Sequence, residues 1–220
     1  MRFLRHLTEK PWETDPSWVD GVAPTPVAAQ RLSSSVALNF FLAIVAILFF
    51  LLIITYAGRM AFEDWRPAPP PSLLWQNTFV LILASIAMEW ANRAAARDRI
   101  ENVKIALLAA GILTAAFITG QVLAWRSLHA MPLFNATNPA IAFFYLITGL
   151  HAAHMLGGLV AWWRVLDKVW SGAESDAISQ SVRLCARYWH FLLIVWLVLF
   201  GLLFSGNDNL NFLLSICGIR

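Results

Sequence analysis

Five histidines, thirteen carboxylates and two cysteines are the side chains here best suited to proton or metal chemistry within a mostly apolar sequence. His151 and His154 stand three residues apart and therefore share roughly one face if the segment is helical. Such a pair can bind a metal or a haem iron, donate hydrogen bonds to a neighbouring helix, or contact a lipid head group. No carboxylate or cysteine lies near them in sequence to complete a metal shell. A second cluster, Arg187-Tyr188-Trp189-His190, opens another apolar run; it suits either a helix anchor or a site holding an anionic lipid phosphate through Arg187 and His190. Glu89 has Arg93 four residues on, the spacing of a helical ion pair, and a proton-relay role is the alternative. Gln121 is neutral and suits an interhelical hydrogen bond. Gly149, Ala153 and Gly157 recur every four residues, a stripe of small residues on which another helix can pack closely.

The elements that must carry these residues follow from composition. Of 220 residues, 59% are hydrophobic and 13% charged, with a mean hydropathy of +0.64. A soluble domain carries about a quarter charged residues, so lipid must cover much of this surface. The net charge of +3 and the lack of a long basic run exclude nucleic acid as an evident partner.

A helix needs about 20 apolar residues to cross a hydrocarbon core of about 30 Å. Five stretches qualify, at residues 34–56, 73–90, 105–125, 139–163 and 188–205. The expected fold is therefore all-α, an integral membrane bundle of five transmembrane helices. Trp75, Trp90, Trp125, Trp162, Trp163 and Trp189 fall near span ends, where aromatic rings prefer the interface. The run from Arg66 to Ser72 holds four prolines and interrupts helix. Links are also expected at 93–104, at 135–139 and over Gly172–Ser181. Residues 1–32, broken by Pro11, Pro16, Pro24 and Pro26, read as a cytoplasmic arm without a cleavable signal; residues 33–206 form the membrane domain and 207–220 an external tail.

Charge sets the expected orientation. The N-terminal arm (Arg2, Arg5, Lys10, Arg31), the second link (Arg93, Arg97, Arg99, Lys104) and the fourth (Arg164, Lys168, Arg183, Arg187) hold twelve cations, and the opposite side holds Arg59, Arg66, Arg126 and Arg220. The positive-inside rule then puts the N-terminus in the cytoplasm and the C-terminus outside. Cys185 and Cys217 fall near opposite faces, roughly 30 Å apart, too far for a disulfide. No Asp or Glu lies deep in a span and no span is broken at its middle, which argues against an ion-coupled transporter.

The segment Tyr145–Gly158, with Thr148-Gly149-Leu150-His151-Ala152-Ala153-His154 at its heart, resembles the Thr-Gly-x-His-x-x-His signature of cytochrome c oxidase subunit III in its short five-helix bacterial form. Tyr188-Trp189-His190-Phe191 followed by Val195-Trp196-Leu197 resembles that family's final-helix signature. Asn77-Thr78 with the run to Ser85, and Phe117 through Gln121 to Trp125, fit its earlier helices, so the resemblance covers about residues 36–205. Members usually carry a glutamate in the first short-form helix, where Ala43–Phe50 is wholly apolar here, and often a carboxylate where this chain has Leu193. Roles resting on those groups do not carry over.

The resemblance implies a non-catalytic subunit of a respiratory haem–copper terminal oxidase in a bacterial inner (plasma) membrane. Such a subunit packs on subunit I, which with its companions holds the haem and copper. It carries no catalytic or metal-binding residue of its own, and it binds phospholipid and supports stability and oxygen access. Glu89, Arg93, His151, His154, Arg187, Trp189 and His190 are then lipid-binding or interhelical residues, and Gly149, Ala153 and Gly157 helix-packing ones. An accessory subunit of a nitric oxide reductase, a small transporter or channel, and a haem-binding membrane protein remain the alternatives.

Overall fold

The computed structural model describes residues 26–60, 62, 65, 72–130 and 138–204, with side chains from Ser33 onward. Among these every regular element is an α-helix: α1 (Pro26–Arg59), α2 (Leu73–Ala95), α3 (Ile100–His129), α4 (Pro139–Trp170) and α5 (Ser175–Phe204). All five contain a stretch long and apolar enough to cross a membrane. The helices run from 23 to 34 residues, or about 35 to 51 Å at 1.5 Å per residue, so each outreaches the hydrocarbon.

That overreach changes the boundaries read from hydropathy, because helical backbone satisfies itself beyond the lipid as well as within it. Residues 26–32, expected in the arm, already belong to α1, with Pro26 at its start where the missing N–H costs nothing. The link expected over Gly172–Ser181 is only four residues long, since α5 begins at Ser175. Two links close by the same device. Gly172 takes a left-handed conformation (φ 68°) while Ala173 N–H donates to Lys168 C=O at 3.2 Å. Asp98 does likewise (φ 53°), and Arg99 N–H donates to Ala94 C=O at 3.1 Å. The two links meet through a hydrogen bond from Ser175 to the Asp98 carboxylate. α4 is capped by Asn138, whose side chain accepts from Ala140 N–H at 3.1 Å. The arm before Pro26, the proline-rich run, the third link before Asn138, Cys217 and the tail 207–220 lie outside the described residues.

The chain divides into two compact units, Met1–Asn39 and Phe40–Arg220; the packing below belongs to the second. There α2 packs on α3 and α5, and α4 on α3 and α5, which closes a ring of four antiparallel helices. Phe40–Arg59 of α1 adds to that ring by side chains: Val45, Phe49 and Tyr56 join Ile147 of α4 and Val195, Leu199 and Leu202 of α5 in one buried cluster. In the same segment Phe40, Ile44 and Ile47 are well exposed.

Candidate functional site

The interior of the ring is held by indoles donating to threonines. Trp196 Nε1 donates to Thr78 Oγ1 at 2.9 Å, Trp189 Nε1 to Thr114 Oγ1 at 3.1 Å, and Trp125 Nε1 to Thr148 Oγ1 at 3.0 Å. Each threonine in turn donates to the carbonyl four residues earlier, at 2.6 to 2.8 Å. A hydroxyl has one donor and two acceptor positions, so one group here satisfies a partner helix and its own. The pairs tie α5 to α2, α5 to α3, and α3 to α4. Asn77 adds a bond from Nδ2 to Phe117 C=O at 3.2 Å and approaches Gln121 Oε1 at 3.4 Å. Two tyrosines reach across to backbone, Tyr188 to His154 C=O at 2.8 Å and Tyr145 to Trp125 C=O at 2.9 Å.

Three glycines permit this closeness. A Cβ on Gly158 would stand 2.7 Å from the Tyr188 ring, one on Gly111 would overlap the Trp162 ring, and one on Gly120 the Asn77 amide. None of the three belongs to the small-residue stripe read from sequence. Gly149 and Gly157 meet nothing within 4 Å among the described residues, and Ala153 is exposed. The reason is rotation: α4 turns Phe144, Ile147, Thr148, His151, Met155 and Gly158 inward, which leaves Ala153 and Gly157 on the open side.

The two histidines of α4 have unlike surroundings. His151 is fully buried, with its ring centroid 5.0 Å from Trp196, 6.0 Å from Phe117 and 6.3 Å from Phe49. Both of its ring nitrogens lack a hydrogen-bond partner. His154 is half-buried; its Nδ1 donates to Leu150 C=O at 2.8 Å and its ring lies 5.5 Å from Phe49. His190 faces the other way, towards α2. Its Nδ1 meets Ser85 Oγ at 2.6 Å and its Nε2 meets Glu89 Oε2 at 3.3 Å. The network assigns the proton to Nε2, because the carboxylate can only accept. Glu89 also takes Arg93 Nε at 2.8 Å and Asn92 Nδ2 at 3.3 Å.

This arrangement bears on the chemistry considered above. His190 points away from His151 and His154, so the three do not face one another across a space fit for a haem. Among the described residues no three metal-ligating side chains stand together. The order hydroxyl, imidazole, carboxylate in Ser85–His190–Glu89 is that of a hydrolase relay, but Ser85 is buried under α5 and serves as a hydrogen-bond partner. An anionic phosphate at His190 would meet the Glu89 carboxylate, which already engages Arg93. The cluster joins α2 to α5. Arg187 is exposed, and Trp189 is fully buried rather than at an interface. Trp125 and Trp162 are half-buried and bonded inward, whereas Trp75, Trp90 and Trp163 are exposed as interfacial rings would be.

The sequence model of cytochrome c oxidase subunit III matches residues 36–206. The chain belongs to that family. Among curated relatives, the probable cytochrome c oxidase subunit 3 of Mycobacterium tuberculosis is 28% identical over 151 residues, covering 67% of this chain and 74% of its own. The cytochrome c oxidase subunit 3 of Corynebacterium diphtheriae is 30% identical over 125 residues, or 56% of this chain and 60% of its own. That of Thermostichus vulcanus is 26% identical over 149 residues, 64% and 71% respectively.

Both signatures of cytochrome c oxidase subunit III thus fall where helices meet. The α4 motif presents His151 to the interior and Gly158 to Tyr188; the α5 motif supplies Trp189 and Trp196 to the threonines and His190 to Glu89. Ala43–Phe50, the stretch lacking the family's glutamate, contributes Phe49, whose phenyl ring lies against both signature histidines. Thr78, Ser85, Thr148 and Gly158 stand in the sequence motifs but their packing roles were not read there, and Thr114, Gly111 and Gly120 were not singled out at all. The available signal was a threonine inside three successive apolar spans, and Trp189 and Trp196 seven residues apart on one helical face.

Proposed function

We propose that this chain is the non-catalytic third subunit of a bacterial respiratory haem–copper oxidase, seated in the plasma membrane with its N-terminus in the cytoplasm. It packs on the catalytic subunit I, holds structural phospholipid, and supports stability and oxygen access during turnover. Family membership across residues 36–206 is the observation that carries this reading. The site geometry accords with it: Trp189 and His190 are spent on joining helices, the work of a scaffold. Orientation rests on the excess of cations in the N-terminal arm and the second and fourth links. Haem and copper belong to the partner subunits.

The test is gentle solubilisation of native membranes, capture of the chain through an affinity tag, mass spectrometry of what accompanies it, and a reduced-minus-oxidised spectrum. A haem–copper catalytic subunit in the captured material, with the haem signal lost when the two are separated, is the expected result. A nitric oxide reductase core in its place would move the chain to the alternative complex. A colourless chain captured alone refutes the accessory-subunit reading, and a chain captured alone with bound haem makes His151, His154 and His190 ligands.

A further inference from the structure

α1 is joined to the other helices by apolar contact alone over its central length. Phe40–Ile54 carry no polar side chain, and the Thr55 hydroxyl donates within its own helix, to Leu51 C=O at 2.8 Å. The indole–threonine bonds run among α2, α3, α4 and α5. So do the close glycine approaches, while Gly58 of α1 meets nothing within 4 Å among the described residues. In lipid an apolar surface gains little by leaving an acyl tail for a neighbouring helix, so hydrogen bonds and close packing hold helices together. The central length of α1 lacks the first and has less of the second: its apolar window is 17% buried, against 39% or 44% in the other four helices.

The ring contacts of α1 differ along its length. At the Arg59 end, Tyr56 is buried and packs edge-on to Trp65 and to Phe143 of α4, at centroid distances of 5.0 and 5.8 Å. Towards the other end, Phe41 rests against His154 and Tyr188 at 6.5 and 6.2 Å and is itself 46% exposed. Between them the buried Phe49 lies against both His154 and His151. The other ring neighbours of His151, Trp196 and Phe117, belong to the four-helix ring. Phe49 is thus the part of the His151 enclosure that α1 supplies. Within that enclosure both imidazole nitrogens lack a partner, which costs free energy for as long as the enclosure is closed.

We propose that α1 is a hinged cover over His151 and His154, which pivots at Tyr56 and swings its Phe41–Phe49 half off α4 while α2, α3, α4 and α5 stay packed. Buried rings at the Tyr56 end and a part-exposed ring at Phe41 set the direction of the swing. The polar ties of the ring let it persist through the motion, and the apolar length of α1 has no such tie to break. Opening admits a hydrogen-bonding partner to the His151 nitrogens, which offsets part of the packing lost. The proposal does not depend on which complex the subunit joins.

The full-length chain in lipid nanodiscs is treated with diethyl pyrocarbonate, which acylates neutral imidazole, and in parallel with N-ethylmaleimide. The buried thiol of Cys185 on α5 reports opening of the ring itself. Rates at His151 and Cys185 are resolved by peptide mass spectrometry, each divided by the rate of the same group in the denatured chain. On that scale His151 should react at least about tenfold faster than Cys185, because a local opening costs less than a global one. Tyr56→Ala loosens the pivot from outside the ring contacts of His151; it should speed His151 about tenfold further and leave Cys185 as it was. Phe40→Ala, which removes a ring 69% exposed, should change neither. His151 protected as fully as Cys185 in the unaltered chain overturns the proposal, whatever the variants do. So does a Tyr56→Ala chain of unchanged circular dichroism in which His151 is not accelerated, or in which both groups are accelerated equally.

Discussion

Thr78→Val isolates one hydrogen bond at the centre of the helix ring. Valine keeps the shape of threonine but cannot accept from Trp196 Nε1, now 2.9 Å away. Trp196 is fully buried, and Phe117 and His151 pack against its ring at centroid distances of 5.0 Å. Its N–H is therefore left without water or another acceptor. An orphaned buried donor costs about 1–3 kcal/mol, whereas interhelical hydrogen bonds in membrane proteins average about 0.6 and reach about 1.7 kcal/mol. A loss of about 1–2 kcal/mol is expected. Trp196→Phe costs more because packing is lost too, so only the double-mutant cycle separates the bond from the ring. In the Trp196→Phe background there is no N–H to satisfy, and Thr78→Val should cost little. The coupling should be about 1 kcal/mol, measured by reversible unfolding in mixed detergent–lipid micelles followed by circular dichroism. A coupling below about 0.5 kcal/mol, the scatter of independent sites, would show that the indole–threonine bonds do not hold the helices together.

Other substitutions test neighbouring parts of the argument. His151→Phe places an apolar ring among Phe49, Phe117 and Trp196 and removes two unpartnered nitrogens; stability should stay level or rise by about 1–2 kcal/mol in the same unfolding assay, and a loss above about 2 kcal/mol would mean that the imidazole is bonded. Gly158→Val drives a side chain into the Tyr188 ring and should cost about 1–3 kcal/mol. Gly157→Ala, one residue away, meets nothing and should be neutral or up to about 1 kcal/mol favourable through helix propensity; reduced capture of the catalytic subunit by that variant would show that the open stripe packs a partner helix. Glu89→Gln breaks a part-exposed ion pair with Arg93 and should cost less than about 1 kcal/mol, read as a small shift in melting temperature.

The amino-acid sequence by itself determined that five helices cross a membrane, because spanning depends on apolar length and composition along one dimension. The α4 and α5 motifs were legible as family signatures for a related reason: they are short and local. Helix ends were less legible, since hydropathy stops at the lipid boundary while the hydrogen-bonded backbone of α1 and α5 continues past it. What only the tertiary structure decided is which face of each helix meets which neighbour. Gly157 and Gly158 are adjacent in sequence, yet one is open and the other lies under Tyr188. Trp196 and Thr78 are 118 residues apart and bonded. A rotation of α4 by one residue, about 100°, would carry His151 off the inward face, and nothing in the local pattern of a mostly apolar helix forbids it. The rotation is chosen by the sum of close glycine contacts and satisfied indoles across four helices, and that sum exists only once they are packed.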